Sequence, residues 1–453
     1  MNFNSIDFLI IFLPITFVVF RIVPQKMRVP VLLISSLIFY GVSGLVPLAF
    51  LILSICWGFG FALVTNKTKR TSVVLGAIAF PLLVLFLFKY LNFSLDVVSA
   101  SVEVRDHLIF FLSVTLPAGI SFYTFQLIAF NLDVHSGKAA PERDPIKIGA
   151  FIALFPQLIA GPILRYEQLS SQLDRVTNTK KLAIDYRSAF KFIAIGLFAK
   201  VCVSDLVGVL IGNSIAVDFA TSGTQQDAFF LLFAYSIRIF FDFWAYSLIA
   251  IGLAKLFALD LPVNFLEPYQ SLNPRDFWRR WHVTLSNWLR DYVYIKLGGR
   301  ENYLRNITIV FLACGLWHGA GWTFILWGAY HAVLVLLYHF TQPVWDRFPK
   351  VLQVFVTFVL VSMGWPLFFM DLQSYVTFMS ILFLGNEGVG IYGIKHWLLV
   401  GVIMAWVWLS RERVWLYNDK AIWVFDSPMI HGACGFIALI LATYSNTFIY
   451  FRF

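Results

Sequence analysis

Long runs without a charged residue alternate with short basic stretches along this chain. The runs are Val29–Asn66, Thr71–Phe88, Ile148–Leu164, Asn306–Trp345 and Val351–Met370. A helix that crosses the hydrocarbon layer of a bilayer needs about 20 mostly apolar residues. The pattern therefore predicts an all-α, polytopic membrane protein, with roughly eleven spans by the same length rule.

Helix-breaking residues interrupt two of these runs. Val29–Asn66 is long enough to cross twice, and the sequence GVSG near its middle predicts a hairpin. Ile148–Leu164 contains two prolines and two glycines and lies between two basic regions, so it is predicted to enter the membrane and return on the same side. Broken backbone at that depth must be covered by protein or line a wet cavity.

The basic residues predict the orientation. Clusters at Arg21–Arg28 and Lys67–Arg70 both follow apolar segments, and cytoplasmic loops are enriched in lysine and arginine. The N-terminus is then extracytoplasmic, and the first apolar segment is a retained span because it lacks the basic start and cleavage site of a signal peptide.

Composition supports this class. The chain is 59% hydrophobic and 13% charged, and its net charge of +9 fits basic cytoplasmic loops better than a nucleic-acid surface. Its four cysteines form no CxxC pair, so neither a disulfide framework nor a metal site is expected.

The segment that begins at Asn273 has a different pattern. Asn273 suits a helix N-cap, Pro274 suits the first turn, and the apolar residues Phe277, Trp281, Leu285 and Trp288 recur at helical spacing. We expect one amphipathic helix at the cytoplasmic interface, ended by Gly298-Gly299. On it, Arg279 and His282 would share a face.

Histidines are the candidate catalytic groups. His318 lies inside the uncharged run in the sequence LWHGAGW, where it is either a helix-packing side chain or a general base. His331 and His339 are expected to form hydrogen bonds between helices.

Arg238 and Asp242 are spaced i,i+4 in another apolar run. They form either an intramembrane ion pair or part of the wall of a polar cavity. Sequence signatures of serine hydrolases, nucleotide-binding loops and zinc proteases are missing.

Six motifs, in order along the chain, resemble those of the membrane-bound O-acyltransferase (MBOAT) family, in particular its bacterial branch that O-acetylates alginate or peptidoglycan. They are LPAGISFYTFQ, FPQLIAGPILRY, IRIFFDFWAYSLIAIGLAKLFALDLPVNFLEPY, FWRRWHVTLSNWLRDYVYIKLGG, LACGLWHGAGWTFILWGAYH and FIYFRF. The resemblance implies one membrane domain over residues 1–453, a ring of helices around a central tunnel. It also implies that His318 is the essential histidine and His282 the second one.

The resemblance further implies acyl transfer from a cytoplasmic thioester to a hydroxyl. His318 would be the base, and His282 would orient the thioester or stabilise developing charge. The donor is expected to be acetyl-CoA, or an acyl carrier protein, with no bound cofactor or metal. Donor- or substrate-binding residues are expected to be Arg275, Arg279, Arg280, Trp281, Arg290, Trp317, Asp242 and Gln126.

Bacterial relatives imply a separate extracytoplasmic partner that finishes acetylation of a polysaccharide, and location in the plasma (inner) membrane. Tyr450 in the last motif is a candidate transient acyl carrier; anchoring at the membrane interface is the alternative role. Two other functions stay open: D-alanyl transfer to teichoic acid from a carrier protein, and transport without catalysis. The chain departs from the family at Trp244, Ala245 and Leu248, where a smaller residue, glycine and a polar residue are usual.

Overall fold

A computed structural model describes residues 3–99, 102–114, 116–212, 223–386, 390–409 and 427–441. Within these ranges the chain is helical and contains no β-strand. The α-helices are α1 Leu13–Ile22, α2 Arg28–Gly41, α3 Leu45–Thr68, α4 Thr71–Leu85, α5 Leu91–Val97, α6 Val102–His107, α7 Ile109–Ser113, α8 Ile120–Ser136, α9 Pro145–Ala153, α10 Phe155–Leu158, α11 Tyr166–Asn178, α12 Tyr186–Phe198, α13 Leu206–Ile211, α14 Gln225–Leu256, α15 Pro274–Arg280, α16 Val283–Leu289, α17 Tyr303–His318, α18 Trp322–Trp345, α19 Lys350–Ser362, α20 Leu372–Leu384, α21 Ile394–Leu409 and α22 Pro428–Leu441. Wider π-helical turns occupy Asp7–Phe12, Phe86–Tyr90, Ala199–Asp205 and Arg290–Tyr294, and 3-10 turns occupy Gln25–Met27, Pro268–Gln270, Gly299–Asn302 and Trp365–Phe368.

The predicted multi-pass helical architecture is confirmed. Among the described residues, six helical segments are long and apolar enough to cross a bilayer: Leu45–Thr68, Thr71–Val97, Tyr186–Ile211, Gln225–Leu256, Trp322–Trp345 and Lys350–Phe368. Three more apolar helices, α20, α21 and α22, are shorter. The total of eleven spans and the ring arrangement stay predictions.

The chain forms two compact units. The first comprises residues 1–194 and 246–262 and contains both predicted breaks. Val29–Asn66 divides between α2 and α3 at Val42–Gly44, as the GVSG sequence predicted. In Ile148–Leu164, α9 ends before Leu154, a single short helix follows, and every residue from 148 to 164 is buried. The broken backbone is thus covered by protein, as its unsatisfied polar groups require in an apolar layer.

Arg28 fastens the end of α11 within the first unit. Its guanidinium is buried and donates to the carbonyl oxygens of Val176, Thr179 and Lys180, at 3.4, 2.7 and 3.0 Å. The last carbonyls of a helix have no partner inside the helix. The arginine therefore both satisfies these acceptors and complements the negative end of the helix dipole.

The second unit comprises residues 195–245 and 263–453. An ionic cluster lies among its membrane helices: the Lys200 ammonium contacts Asp205 at 2.6 Å and Asp242 at 2.7 Å, and all three side chains are buried. Of the two roles considered for Arg238 and Asp242, the ion pair is wrong: Asp242 pairs with Lys200, on a different segment of the chain. Lys200 and Asp205 both lie on the π-helical turn Ala199–Asp205, and the Lys200 ammonium lies between the two carboxylates.

Candidate active site

His318 lies at a helix break built from small residues. α17 ends at His318, and α18 begins four residues later at Trp322. A Cβ atom on Gly315 would lie 2.2 Å from the carbonyl oxygen of Phe324, so only glycine lets the two helices approach this closely. A Cβ atom on Gly319 would lie 2.1 Å from the Phe324 ring. Packing on α18 therefore requires both glycines.

Aromatic rings enclose His318. The imidazole is 3% exposed, and it meets the rings of Trp317, Trp327 and Phe368 at centroid distances of 4.9, 5.1 and 5.2 Å, each at a steep angle. Walls of this kind exclude water and hold the imidazole in one orientation. The sequence motif thus corresponds to a preformed, apolar pocket around one titratable ring.

His282 lies at a second break, which the sequence did not predict. The expected continuous helix is divided into α15 and α16, because His282 adopts left-handed backbone angles, φ 43° and ψ 56°. A shared helical face for Arg279 and His282 is therefore wrong. The N-cap prediction is confirmed, since the Asn273 side chain accepts from the Asp276 amide, and the four apolar residues at helical spacing are all buried.

Polar neighbours hold the His282 turn. The Asn264 side-chain oxygen lies 3.2 Å from His282 Nδ1 and accepts from the Thr284 hydroxyl at 2.8 Å. Burial lowers the pKa of His282 to about 3, so the imidazole is neutral at physiological pH. Phe243 packs on the same ring, with the centroids 4.7 Å apart.

Trp317 connects the two histidines. Its indole contacts the His282 ring at a centroid distance of 5.6 Å and the His318 ring at 4.9 Å. The two histidine motifs, 36 positions apart in the printed sequence, therefore converge on one side chain. The sequence placed Trp317 in the site only through the family resemblance, and the structure gives it a physical position there.

A cavity of about 850 Å³ opens between α15, α16, α17 and α18. Arg279, Arg290 and Arg300 at its margin are exposed, whereas Phe311 and Cys314 in its wall are buried. The cavity thus has a cationic mouth and an apolar interior. Other lining residues are Arg275, Trp278, Val283, Ser286, Asn287, Leu289, Tyr294, Tyr303, Ile307, Val310, Val335, His339 and Gln342.

The cavity follows α17 toward His318. Tyr303, Ile307, Val310 and Cys314 line it at helical spacing, and His318 comes four residues after Cys314, on the same helical face. At 1.5 Å per residue, the lined part of α17 is about 16 Å long. The cavity therefore leads from charged groups at the surface to within one helical turn of the buried imidazole.

The arginines at the mouth differ in what they contact. Arg290 makes a two-pronged ion pair with Asp291, at 2.7 and 3.1 Å. Arg275 contacts the Tyr303 hydroxyl at 3.4 Å and His339 Nδ1 at 3.3 Å. Arg279 and Arg300 form no ion pair with any described residue. These two cations are consequently the ones available to an anionic ligand.

The remaining predicted site residues have varied positions. Arg280 pairs with Asp276 at 2.9 Å and is absent from the cavity lining. Trp281 is buried and packs against Phe265 and Trp365. Asp242 is buried in the ionic cluster with Lys200. Gln126 is buried on α8 in the first unit. Tyr450 lies outside the described residues.

Several lining residues were missed from the sequence. Arg300, Tyr303 and His339 belong to the mouth, although the sequence gave Arg300 no role and His339 only a bond between helices. The repeat Tyr303, Ile307, Val310 and Cys314, which ends in His318, was the available signal. Within the described ranges, no three His, Cys, Asp or Glu side chains gather to hold a metal.

The departure at Trp244 lies in the core of the second unit. Trp244 is fully buried and stacks on Phe240, with centroids 5.8 Å apart. It is absent from the lining of the described cavity. This large side chain therefore does not narrow that cavity.

Comparison with known protein families gives the same assignment as the sequence motifs. Residues 142–380 match the sequence model of MBOAT, the membrane-bound O-acyltransferase family. The chain belongs to this family and is a multi-pass membrane O-acyltransferase. A histidine that is buried at a helix break, one helical turn beyond a cavity with a cationic mouth, is consistent with that class.

Individual relatives narrow the comparison. The chain is 37% identical over 383 residues to the probable alginate O-acetylase AlgI of Pseudomonas putida, covering 81% of this chain and 77% of that protein. It is 34% identical over 414 residues to a peptidoglycan O-acetyltransferase of Helicobacter pylori, covering 81% and 76%. A teichoic acid D-alanyltransferase of Bacillus subtilis is 26% identical over 370 residues, covering 77% and 91%.

Proposed function

We propose that this enzyme takes an acetyl group from acetyl-CoA on the cytoplasmic side of a bacterial plasma membrane and transfers it to a hydroxyl, for O-acetylation of an extracytoplasmic polysaccharide. One observation carries the proposal: the cavity that joins an arginine-lined mouth to the helical turn before His318. The names of the relatives with the higher identities, which are O-acetylating proteins, support acetyl as the group and a polysaccharide as its destination.

The cavity suits a nucleotide thioester. Phosphate groups bind arginine through paired, charge-assisted hydrogen bonds, and Arg279 and Arg300 are the cations without an ion pair among the described residues. A lined depth of about 16 Å along α17 accommodates a long, flexible arm between the phosphates and the thioester. Buried Phe311 and Cys314 beyond the mouth favour the apolar end of that arm. The acyl carbon then arrives beside His318.

His318 acts as the base in this reaction. It takes the proton of the acceptor hydroxyl while the hydroxyl oxygen attacks the thioester carbonyl carbon. The carbon–sulfur bond breaks, and the CoA thiolate leaves and is protonated by solvent. General-base help of this kind typically contributes about 10²–10⁴-fold to the rate.

Further parts of the proposal concern topology and partners. The N-terminus is extracytoplasmic, and a separate extracytoplasmic protein receives the acetyl group and completes polysaccharide acetylation. Tyr450 is a transient acyl carrier between them. Replacement of Tyr450 by Phe tests that part alone, because a variant with the full rate of transfer to the partner has no need of the carrier.

Acetyl transfer measured on two donors tests the central proposal. The purified chain in lipid nanodiscs is given radiolabelled acetyl-CoA or acetyl-pantetheine, which lacks the nucleotide phosphates, with a small hydroxyl acceptor. Arg279→Ala and Arg300→Ala should each raise the KM for acetyl-CoA about 5- to 50-fold, a loss of about 1–2 kcal/mol. The KM for acetyl-pantetheine should not change. Arg347→Ala, an exposed arginine outside the cavity, is the matched control.

His318→Ala completes the test. The variant should fold with the wild-type unfolding midpoint and lose acetyl transfer by at least about 100-fold. Transfer at the wild-type rate by this variant would overturn the proposal. A chain that ignores acetyl-CoA but accepts D-alanyl carrier protein would instead establish the D-alanyl alternative.

A further inference from the structure

The environment of His282 determines which of its two nitrogens carries the proton. The ring is fully buried, and its pKa is lowered to about 3 by burial, so the imidazole is neutral near pH 7. A neutral imidazole is a donor at one nitrogen and an acceptor at the other, and its neighbours select the arrangement. For His282 the selecting neighbour is Asn264.

The orientation of the Asn264 amide follows from a group that can only donate. The Thr284 backbone N–H points at the Asn264 side-chain atom at 3.3 Å, and a backbone N–H has no acceptor function. That atom is therefore the amide oxygen and not the nitrogen, a distinction that hydrogen bonding has to settle. The Thr284 hydroxyl donates to the same oxygen at 2.8 Å.

The tautomer of His282 follows in turn. Nδ1 lies 3.2 Å from that oxygen, and two acceptors do not form a hydrogen bond, so Nδ1 carries the proton. Asn264 also holds the turn through its backbone, since its carbonyl oxygen accepts from the Val283 amide at 2.9 Å. Left-handed backbone at a residue such as His282 is strained and persists only where the surroundings impose it.

We infer that Asn264 is a positioning residue that fixes His282 as the Nδ1–H tautomer, so that Nε2 is the nitrogen that can accept a hydrogen bond during acyl transfer and cannot donate one. The second histidine is then no donor to the thioester oxyanion, a role that its resemblance to the family had left open. This role in catalysis rests on the proposed function, whereas the tautomer does not.

Uncharged side chains lie against the His282 ring. Phe243 packs on it from α14 and Trp317 from α17, while the Asn264 oxygen contacts Nδ1 and is itself held by the Thr284 hydroxyl. A carboxylate in place of the Asn264 amide would put a negative charge about 3.2 Å from Nδ1. It would keep the acceptor oxygen for Nδ1–H and stabilise the imidazolium, so the pKa of His282 should rise.

Nitrogen NMR on the ¹⁵N-histidine-labelled protein in lipid tests the tautomer directly. Subtraction of the His282→Gln spectrum isolates the two His282 resonances from those of the other seven histidines. The wild type at pH 7 should show a protonated Nδ1 and an unprotonated Nε2. Protonation at Nε2 instead would overturn the inference, whatever the transferase assay shows.

Kinetics tests the role in catalysis. Asn264→Leu keeps the approximate volume and removes the acceptor, and kcat should fall about 10- to 100-fold, as it does when a supporting hydrogen bond to a working histidine is removed. Asn264→Asp should recover most of the wild-type kcat at high pH and lose it on acidification. In its pH profile, kcat should begin to fall at a higher pH than in the wild type. Thr284→Val, which removes a different donor to the same oxygen, is the control.

A structural role alone would produce a different result. Asn264→Leu and Asn264→Asp would then lower the unfolding midpoint together and leave the pH dependence of kcat where it was. That outcome, or an Asn264→Leu enzyme with the wild-type kcat, would overturn the role of Asn264 in positioning. Failure of all acetyl transfer in the wild type would count against the proposed function and leave the tautomer measurement intact.

Discussion

Replacement of Gly315 by Ala probes the contact that places His318. The added Cβ atom would lie 2.2 Å from the Phe324 carbonyl oxygen and 3.3 Å from Gly328 Cα, whereas ordinary contacts begin at 3.4 Å. Both neighbours are backbone atoms and cannot rotate away. The helices α17 and α18 must therefore separate by about 1 Å, and inserting a methylene group into such packing typically costs about 1–3 kcal/mol.

The same displacement reaches the imidazole of His318, the proposed base. His318 is three residues from Gly315 on α17, so it moves with the helix. A misplacement of about 1 Å at reacting groups typically costs about 100-fold in rate. We therefore expect Gly315→Ala to lose about two orders of magnitude in acyl transfer in addition to the loss of stability.

The assay is paired with a glycine replacement in another apolar helix. Unfolding midpoints in detergent and single-turnover acyl transfer are measured for Gly315→Ala and for Gly401→Ala. Gly401 lies on α21, and a Cβ atom there would meet nothing within 4 Å, so that variant should match the wild type. If Gly315→Ala had the stability and the acyl-transfer rate of the wild type, the close contact between α17 and α18 would not be what positions His318.

Three further predictions concern buried charge and titration. Arg28→Ala should lower the free energy of unfolding by about 2 kcal/mol, because the carbonyls at the end of α11 lose a charged donor; exposed Arg70→Ala should leave it unchanged in the same denaturant titration. Lys200→Met should cost about 3–5 kcal/mol, since two buried carboxylates lose their ammonium, and a thermal midpoint equal to that of the wild type would contradict the cluster. Because His282 has a folded pKa of about 3 against 6.5 in the unfolded chain, the unfolded state binds the proton first, and stability should fall by up to about 1.4 kcal/mol per pH unit below pH 6.5. His282→Gln should lack this contribution, and identical pH profiles for the two proteins would show that His282 is not neutral in the folded state.

Local signals predicted the helices well. Asn273 and Pro274 are adjacent residues that start a helix. The breaks at GVSG and within Ile148–Leu164 depend on the backbone conformations of single glycine and proline residues. These features appear where the sequence placed them, because the physics that determines them lies within a few positions along the chain.

Long-range contacts were harder to predict. The break at His282 depends on a contact with Asn264, 18 residues earlier. The helix propensities of Trp281 and His282 contain no information about that contact. Asp242 pairs with Lys200 and not with Arg238, four residues before it, because a π-helical turn on another segment brings the Lys200 ammonium within 2.7 Å. The mouth of the cavity combines α15, α17 and α18, so Arg300 and His339 are recognisable as neighbours only after these helices pack.

The helix break at His318 also has an electrostatic consequence. His318 is the last residue of α17, where the aligned peptide dipoles present their negative end. A base that takes a proton from a hydroxyl becomes an imidazolium, and a cation at a helix C-terminus is stabilised by roughly 0.3–1 kcal/mol, and by up to about 2 kcal/mol where it is partly buried. The glycines that end the helix thus place the proposed proton acceptor where the positive charge of the transition state is favoured, and 1 kcal/mol corresponds to about a fivefold gain in rate.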